Sequence, residues 1–502
     1  MLKPAALFTD GAVLCRRKEI RVFGTGEDGT MVTACLRDAG GRILAENSAP
    51  VMKGRFLVLL PPQEARTGCT LTLTDGTDSF TAGDIAIGDV FLAGGQSNME
   101  LPLEGADGGR ELIPVHEDGL LRFFDMPRYA YVCEEQRAAM DAARWEAIAP
   151  GKGGGHSAVA YFFGMALRKA HPEVPVGIIG CNWGGTSITC WMTEEMLLRL
   201  QEGRDYLRQY EELCGGKSWE TWRKEEDAFQ ETLARWNAQV EDYRREHPDA
   251  TWREITDGVG ICPWNPPAGP GSPYRPGGLA DAMLAEAAPA ALTGFLWYQG
   301  EDDAPKTTHY DGLMIQLVRA WRGMFGDSRL PFLFVQLPMW RDWDAEETYL
   351  WPALRLSQAA ARDAIAGSAM ACLLDEGEYG NIHPTAKRVV GERLAELAKK
   401  LIYGEPGEEA PRALDKYTRG NTMTVCLSAP VRTKDGEAPR LMEIAGADGA
   451  FYPANAAAEG SALRLWAGAV PRPVQARYAW CDYSDRVNLI GENGLPLEPF
   501  RL

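Results

Sequence analysis

The sequence predicts an α/β protein in which a parallel sheet is flanked by helices and carries β-sandwich regions at its N- and C-terminal ends. Three observations predict it. Residues 1–85 alternate apolar and polar side chains between turn signals, residues 86–405 alternate short apolar runs with segments of helical period, and residues 406–502 return to short strands rich in proline. These bounds also mark the expected domains, an N-terminal β-sandwich region, a catalytic-type α/β domain and a C-terminal β region, because 502 residues exceed one ordinary core.

In the first region, residues 69–74 alternate as a strand and Asp75-Gly76 supplies a hairpin turn. Gly24-Thr-Gly-Glu-Asp-Gly29 satisfies a dinucleotide-binding pattern, but its acidic residues repel a pyrophosphate and a strand follows it, so it is set aside. In the central region, residues 89–93 form a buried strand that runs through Gly94 and Gly95 into Gln96-Ser97. Ser157 caps an apolar helix that precedes the strand 176–180. Residues 295–298 form another strand, and Tyr310, Leu313, Leu317 and Trp321 recur at helical spacing ahead of a strand at 332–336. Val390, Leu394, Leu397 and Leu401 stripe a last helix that Gly404 can terminate.

Residues 200–280 interrupt this rhythm. Trp222, Phe229, Leu233, Trp236, Val240 and Tyr243 mark one face of a long charged helix, and a proline-rich loop covers 262–271. The stripe reads as core, and the insertion as a cover over the substrate or a contact between copies in a homo-oligomer. In the tail, Tyr478, Trp480 and Phe500 are packing residues, with Pro471, Pro473, Pro496 and Pro499 at edges and turns.

Composition excludes several classes. A net charge of −18 argues against nucleic acid, whose phosphates need clustered lysine and arginine, and against anionic membrane surfaces. No run of about eighteen apolar residues is present to span a bilayer. The first ten residues lack the apolar core of a secretory signal, which predicts a cytoplasmic protein, or a secreted one from which a leader has been removed. Eleven cysteines without paired spacing do not form a disulfide framework, and no Cys-x-x-Cys or His-Glu-x-x-His pattern occurs, so neither metal nor other cofactor is expected.

The chemistry concentrates at strand ends. Ser97, on a turn after a glycine-ended strand, is the candidate nucleophile, because a serine attacks a carbonyl only where a base takes its proton and N–H donors receive the oxyanion. His383, one of six histidines, lies just before a proline and a helical run and is the natural base. Gln299 and Glu301 end the strand 295–298. In an open α/β sheet the carboxyl ends of strands share one edge, so these distant residues can converge.

Gly-Gln-Ser-Asn-Met at 95–99, Trp-Gly-Gly-Thr at 183–186, Trp-Tyr-Gln-Gly-Glu at 297–301 and Ile-His-Pro at 382–384 together resemble the sialate O-acetylesterase family of SGNH-type hydrolases. The resemblance implies an SGNH-hydrolase-like parallel sheet flanked by helices and a carbohydrate O-acetylesterase acting most readily on O-acetylated sialic acids. By resemblance, Ser97 is the nucleophile, His383 the general base and acid, and the oxyanion hole combines the Ser97 amide, an amide of Gly184 or Gly185, and the Gln299 side chain. The position three before His383, aspartate in many SGNH enzymes, is Gly380. The acid orienting His383 is therefore sought in Glu301 first and Asp375 second, with Glu376 and Glu378 open. Gln96, Trp183, Trp340 and Arg341 are candidates to bind substrate, Arg341 through a sialate carboxylate, and Trp191, Trp343 and Trp351 are further stacking candidates. The resemblance also suggests that the two β regions fold together beside the catalytic domain.

Other readings remain. An acetylesterase for xylan or mannan needs no carboxylate clamp, and a noncatalytic carbohydrate-binding protein would release no acetate. A lipase is disfavoured because Gly-x-Ser-x-Gly is absent, and a glycosidase built on Glu301 and Asp375 would survive loss of Ser97.

Overall fold

In the computed structural model, all residues except Asp249, Asn265, Thr307 and Thr308 are described. The central sheet runs in the order Glu146–Ile148, Asp118–Asp125, Val176–Asn182, Ser79–Gly95, Gly294–Tyr298, Phe332–Val335, Ser368–Ala371. The first pairing is antiparallel and the others are parallel. Phe91 and Leu92 in its middle are fully buried, as are Ile178 and Leu296, which is why these strands read as continuous apolar runs. Removing each such side chain from water stabilises the fold by about 1.5–3 kcal/mol.

Helices Ala158–Ala170 and Lys387–Leu401 pack on each other, as do Tyr310–Met324 and Leu350–Ala364. Ser157 accepts a hydrogen bond from the Ala160 amide at 3.2 Å, the cap its sequence predicts. The strand Ser79–Gly95 is 17 residues long and crosses the expected boundary at 85/86. Its first half pairs with Arg66–Thr74 and its second half forms the middle of the central sheet, so the N-terminal β region shares one apolar core with the α/β body.

The C-terminal strands build two four-stranded sheets and the two-stranded pair Val431–Thr433 with Leu489–Gly491, all antiparallel, around a core of their own that includes Met339, Cys372 and Leu374 from the body. The suggestion that the two β regions fold together is thus corrected, because each buries its apolar face against the body. Asp482 fastens the C-terminal unit by accepting from the Thr348, Tyr349 and Trp351 amides at the start of helix Leu350–Ala364.

The insertion is three helices, Gln201–Cys214, Trp219–Glu246 and Trp252–Val259, followed by the proline-rich loop. Of its predicted core stripe only Trp222 and Val240 are buried, and Phe229, Leu233, Trp236 and Tyr243 are half-exposed. The reason is that the long helix stands off the sheet. Its neighbours are the short helix, the loop and Tyr131 of the body, through contacts such as Trp222 Nε1 to the Pro267 carbonyl at 3.2 Å and the Trp219 ring edge-on to Tyr131 at 5.0 Å. All eleven cysteines are free, and no helix among the described residues is long and apolar enough to cross a membrane.

Candidate active site

The carboxyl ends of three adjacent strands, Val176–Asn182, Ser79–Gly95 and Gly294–Tyr298, lead into Trp183, Gln96-Ser97 and Gln299. The strand leading to Ser97 is flanked on its two sides by strands that both come later in the chain, the kind of position where α/β sheets open a crevice. Gly95 holds φ at +139°, and a β-carbon there would collide with the Tyr298 carbonyl oxygen. Glycine therefore lets the strand end flush against its neighbour and turn at once. Ser97 then starts the one-turn helix Ser97–Glu100, half-buried.

His383 reaches this turn from the loop before helix Lys387–Leu401, with its Nε2 at 2.8 Å from Ser97 Oγ. Its backbone amide donates to Asn381 Oδ1 at 3.0 Å, and Glu378 accepts from Asn381 Nδ2 and from the Thr385 amide at 2.7 and 2.8 Å. Glu378 thus braces the histidine loop from both sides of His383. Burial first, and the Lys387 charge second, push the imidazole down to about 4 from 6.5. The ring is neutral at pH 7 and able to accept a proton from Ser97.

The expected orienting acids are elsewhere. Glu301 Oε1 accepts from Asn98 Nδ2 at 2.5 Å, while Asp375 is held by both terminal nitrogens of Arg393 at 2.8 Å each. Glu376 also faces Arg393 at 3.4 Å. Among the described residues no carboxylate hydrogen-bonds His383. Asn98 instead joins three elements, since its Nδ2 also donates to the Ile382 carbonyl at 2.9 Å and its Oδ1 accepts from Lys387 Nζ at 2.5 Å. Burial pushes the Glu301 carboxyl up to about 7 and the Lys387 ammonium down to about 7.

The donors near Ser97 also sort differently from expectation. Gly184 lies against Ser97, where a β-carbon on it would sit 3.3 Å from the serine Cβ, but its amide donates to the Glu100 carboxylate, which also takes Arg128. Gln299 is fully buried with both ends occupied. Its Nε2 donates to Asp303 at 2.5 Å and to the Thr186 carbonyl at 3.1 Å, and its Oε1 accepts from the Tyr310 hydroxyl at 2.7 Å. The amides of Ser97 and Gly185 have no protein acceptor among the described residues. Asp303 accepts from Ser187 Oγ, the Ile188 amide, Tyr206 and Gln299, which ties the glycine turn, the insertion and the strand end together.

This arrangement can activate a hydroxyl beside N–H donors, the requirement for acyl transfer. A family model for carbohydrate esterase, sialic acid-specific acetylesterase, matches residues 258–400. The chain is 26% identical to the sialate O-acetylesterase of Rattus norvegicus over 416 residues, covering 76% of this chain and 70% of that protein. It is 24% identical to the Homo sapiens sialate O-acetylesterase over 412 residues, covering 76% and 68%. A solved carbohydrate acetylesterase from Xanthomonas citri superposes with a TM-score of 0.78 at 28% identity, covering 100% of this chain and 99% of that one. The chain is a carbohydrate esterase similar to the sialic acid-specific acetylesterases.

In this carbohydrate esterase the remaining candidates are distributed around the rim. Gln96 is buried, and its Oε1 accepts from the Gly300 and Asp302 amides at 3.4 and 3.3 Å, so it supports the turn after Gln299. Trp183 is half-buried beside the glycine turn. Trp340 packs its ring on Trp351 at 4.9 Å, and Trp191 is fully buried, so Trp191 and Trp351 are packing residues. Arg341 lies over Tyr379 and 3.5 Å from Glu347, and Trp343 contacts Tyr379 edge-on at 4.7 Å. Asn98, Glu100, Lys387 and Asp303 carry the site's hydrogen bonds, yet the sequence assigns none of them a role, although Asn98 stands in the motif at 95–99. Asn98 and Glu100 flank Met99 directly after Ser97, which is the signal that was available.

Proposed function

We propose that this carbohydrate esterase removes O-acetyl groups through an acyl-enzyme formed on Ser97, on an SGNH-type sheet. The observation that carries the reading is the 2.8 Å contact between Ser97 Oγ and His383 Nε2 beside the open amides of Ser97 and Gly185. Ser97 Oγ bonds to the acetyl carbonyl carbon as its proton passes to His383 Nε2, and the two amides receive the oxyanion. The ester C–O bond then breaks and His383 returns the proton to the sugar oxygen. Water, deprotonated by the same nitrogen, attacks the acetyl-serine and releases acetate, restoring the hydroxyl.

The substrate reading is an O-acetylated sialic acid, in keeping with the match to the sialic acid-specific acetylesterase model and to the mammalian sialate O-acetylesterases. A neutral acetylated glycan is the second reading. It is favoured by Arg341, whose guanidinium already faces Glu347 rather than standing ready for a carboxylate.

The test compares acetate release from 9-O-acetylated sialic acid, acetylated xylan and acetylated mannan by the wild type and by Ser97→Ala. Loss of release by at least about 10⁴-fold in the variant is expected. Full release by the variant overturns the serine pathway, and the wild-type ranking decides the substrate.

A further inference from the structure

A second concavity opens beside the glycine turn. It has a volume of about 370 Å³, and its walls come from the Arg128–Tyr131 segment, Trp183, the long insertion helix and the proline-rich loop. Trp183, Phe229, Trp264 and Tyr274 line it with aromatic surface, and Phe229 and Trp264 keep part of that surface in solvent. The volume is within the range of about 300–1,000 Å³ found for small-molecule sites, which pair apolar walls with a few directed polar groups.

The groove is continuous with the catalytic turn. Trp183 precedes Gly184, which touches Ser97, and a β-carbon on Gly185 would collide with the Trp264 ring and lie 3.2 Å from the Tyr274 ring. One polar group stands out in it. Glu226 Oε1 accepts from Gln230 Nε2 at 2.7 Å, but its Oε2 is buried with no partner among the described residues. A carboxylate oxygen only accepts, so it suits a hydroxyl and repels a second carboxylate. The nearby Arg128 charge is taken by Glu100.

We propose that this groove is a subsite for a neutral sugar ring, the unit next to the acetylated one, with its apolar face on Phe229 and Trp264 and a hydroxyl donating to Glu226 Oε2. The proposal rests on the carbohydrate acetylesterase reading and deepens it: the substrate is an oligosaccharide, and the helical insertion selects it.

The test has a binding arm and a kinetic arm. The Ser97→Ala protein is titrated calorimetrically with xylotetraose, mannotetraose and lactose. Saturable binding of one of them, weakened at least tenfold by adding Phe229→Ala or Glu226→Gln, is expected. Binding of none, or binding that both substitutions leave intact, overturns the subsite. In the kinetic arm, acetylated xylo- and manno-oligosaccharides and 9-O-acetylated sialyllactose are each compared with their acetylated monosaccharide and with 4-nitrophenyl acetate. Phe229→Ala should lower kcat/KM for the preferred oligosaccharide, through KM, at least tenfold more than for 4-nitrophenyl acetate. Equal losses on both overturn the subsite. Acetate release that survives Ser97→Ala would instead sink the serine reading, and the calorimetric result would still decide the groove.

Discussion

Asn98 Nδ2 donates to the Ile382 carbonyl at 2.9 Å, so the residue after the candidate nucleophile holds the residue before the candidate base. Two chain segments separated by nearly three hundred positions are registered by one side-chain amide, which also meets Glu301 and Lys387. Asn98, Glu301 and Lys387 are all buried, where a half-satisfied polar network is costly.

Asn98→Ala is therefore expected to lower kcat/KM by about 10²-fold, the scale on which a shift of roughly 1 Å in catalytic geometry acts. The same substitution strands Glu301 and Lys387 and should cost about 1–3 kcal/mol of stability. Steady-state kinetics with urea denaturation checks both. A variant with kcat/KM within twofold of wild type would show that Asn98 does not register the pair.

The pH dependence follows from Lys387. Burial of the ring first, and the Lys387 charge second, hold the His383 imidazole down to about 4, so the acid limb of kcat/KM is expected well below the ordinary histidine range. Lys387→Met removes a positive charge that disfavours the imidazolium. The His383 value then rises, and the acid limb moves to higher pH, although burial, the larger cause, remains. Glu301 is pushed up to about 7 and Glu378 also faces Lys387. For stability the two signs oppose. Depressed His383 makes the folded state lose stability as pH falls from about 6.5 toward 4, whereas the contribution of raised Glu301 is full below about 4.5 and is lost as pH rises toward about 7. The activity profile is thus the informative measurement, and an unmoved limb in Lys387→Met counts against the electrostatic coupling.

What was legible in the sequence was whatever local pattern encodes. Strand ends announced by glycine located Ser97 and the turn at 183–186, and a cap and an apolar stripe located the helices 158–170 and 387–401. The partners of buried charges were not legible. Lys387 opens a helix whose other lysines are surface groups, and nothing in its spacing says that it alone is buried, against Tyr298 and Asn98. The family resemblance makes Gln299 an oxyanion donor, but Asp303, four residues later, takes its amide. The insertion's stripe read as core because helical period reports an apolar face without saying what covers it.

Gln299 offers a separable test. Gln299→Met leaves Asp303 and Tyr310 each short of a partner, and a stability loss of about 1–3 kcal/mol is expected with any fall in kcat tracking it. An amide that held the oxyanion directly would instead cost about 10²–10³ in kcat with the melting temperature intact. Thermal denaturation beside single-turnover acylation separates the two outcomes.

The C-terminal unit is joined to the body by a second buried pair, Arg362 with Glu498, at 2.6 and 2.5 Å to the two carboxylate oxygens. Both side chains are nearly enclosed, at 12% and 6% exposure, so truncating one leaves the other charge with little water to replace it. Arg362 keeps a contact with the exposed Asp363, which offsets only part of that cost. Glu498→Ala is expected to destabilise the protein by about 3–5 kcal/mol, whereas Arg362→Met with Glu498→Met should recover most of the loss, because two apolar side chains leave no unpaired charge. Urea midpoints of the wild type and the two variants check this. Equal destabilisation in the single and double variants would mean that the ion pair itself, and not the stranded charge, holds the C-terminal sheets against helix Leu350–Ala364.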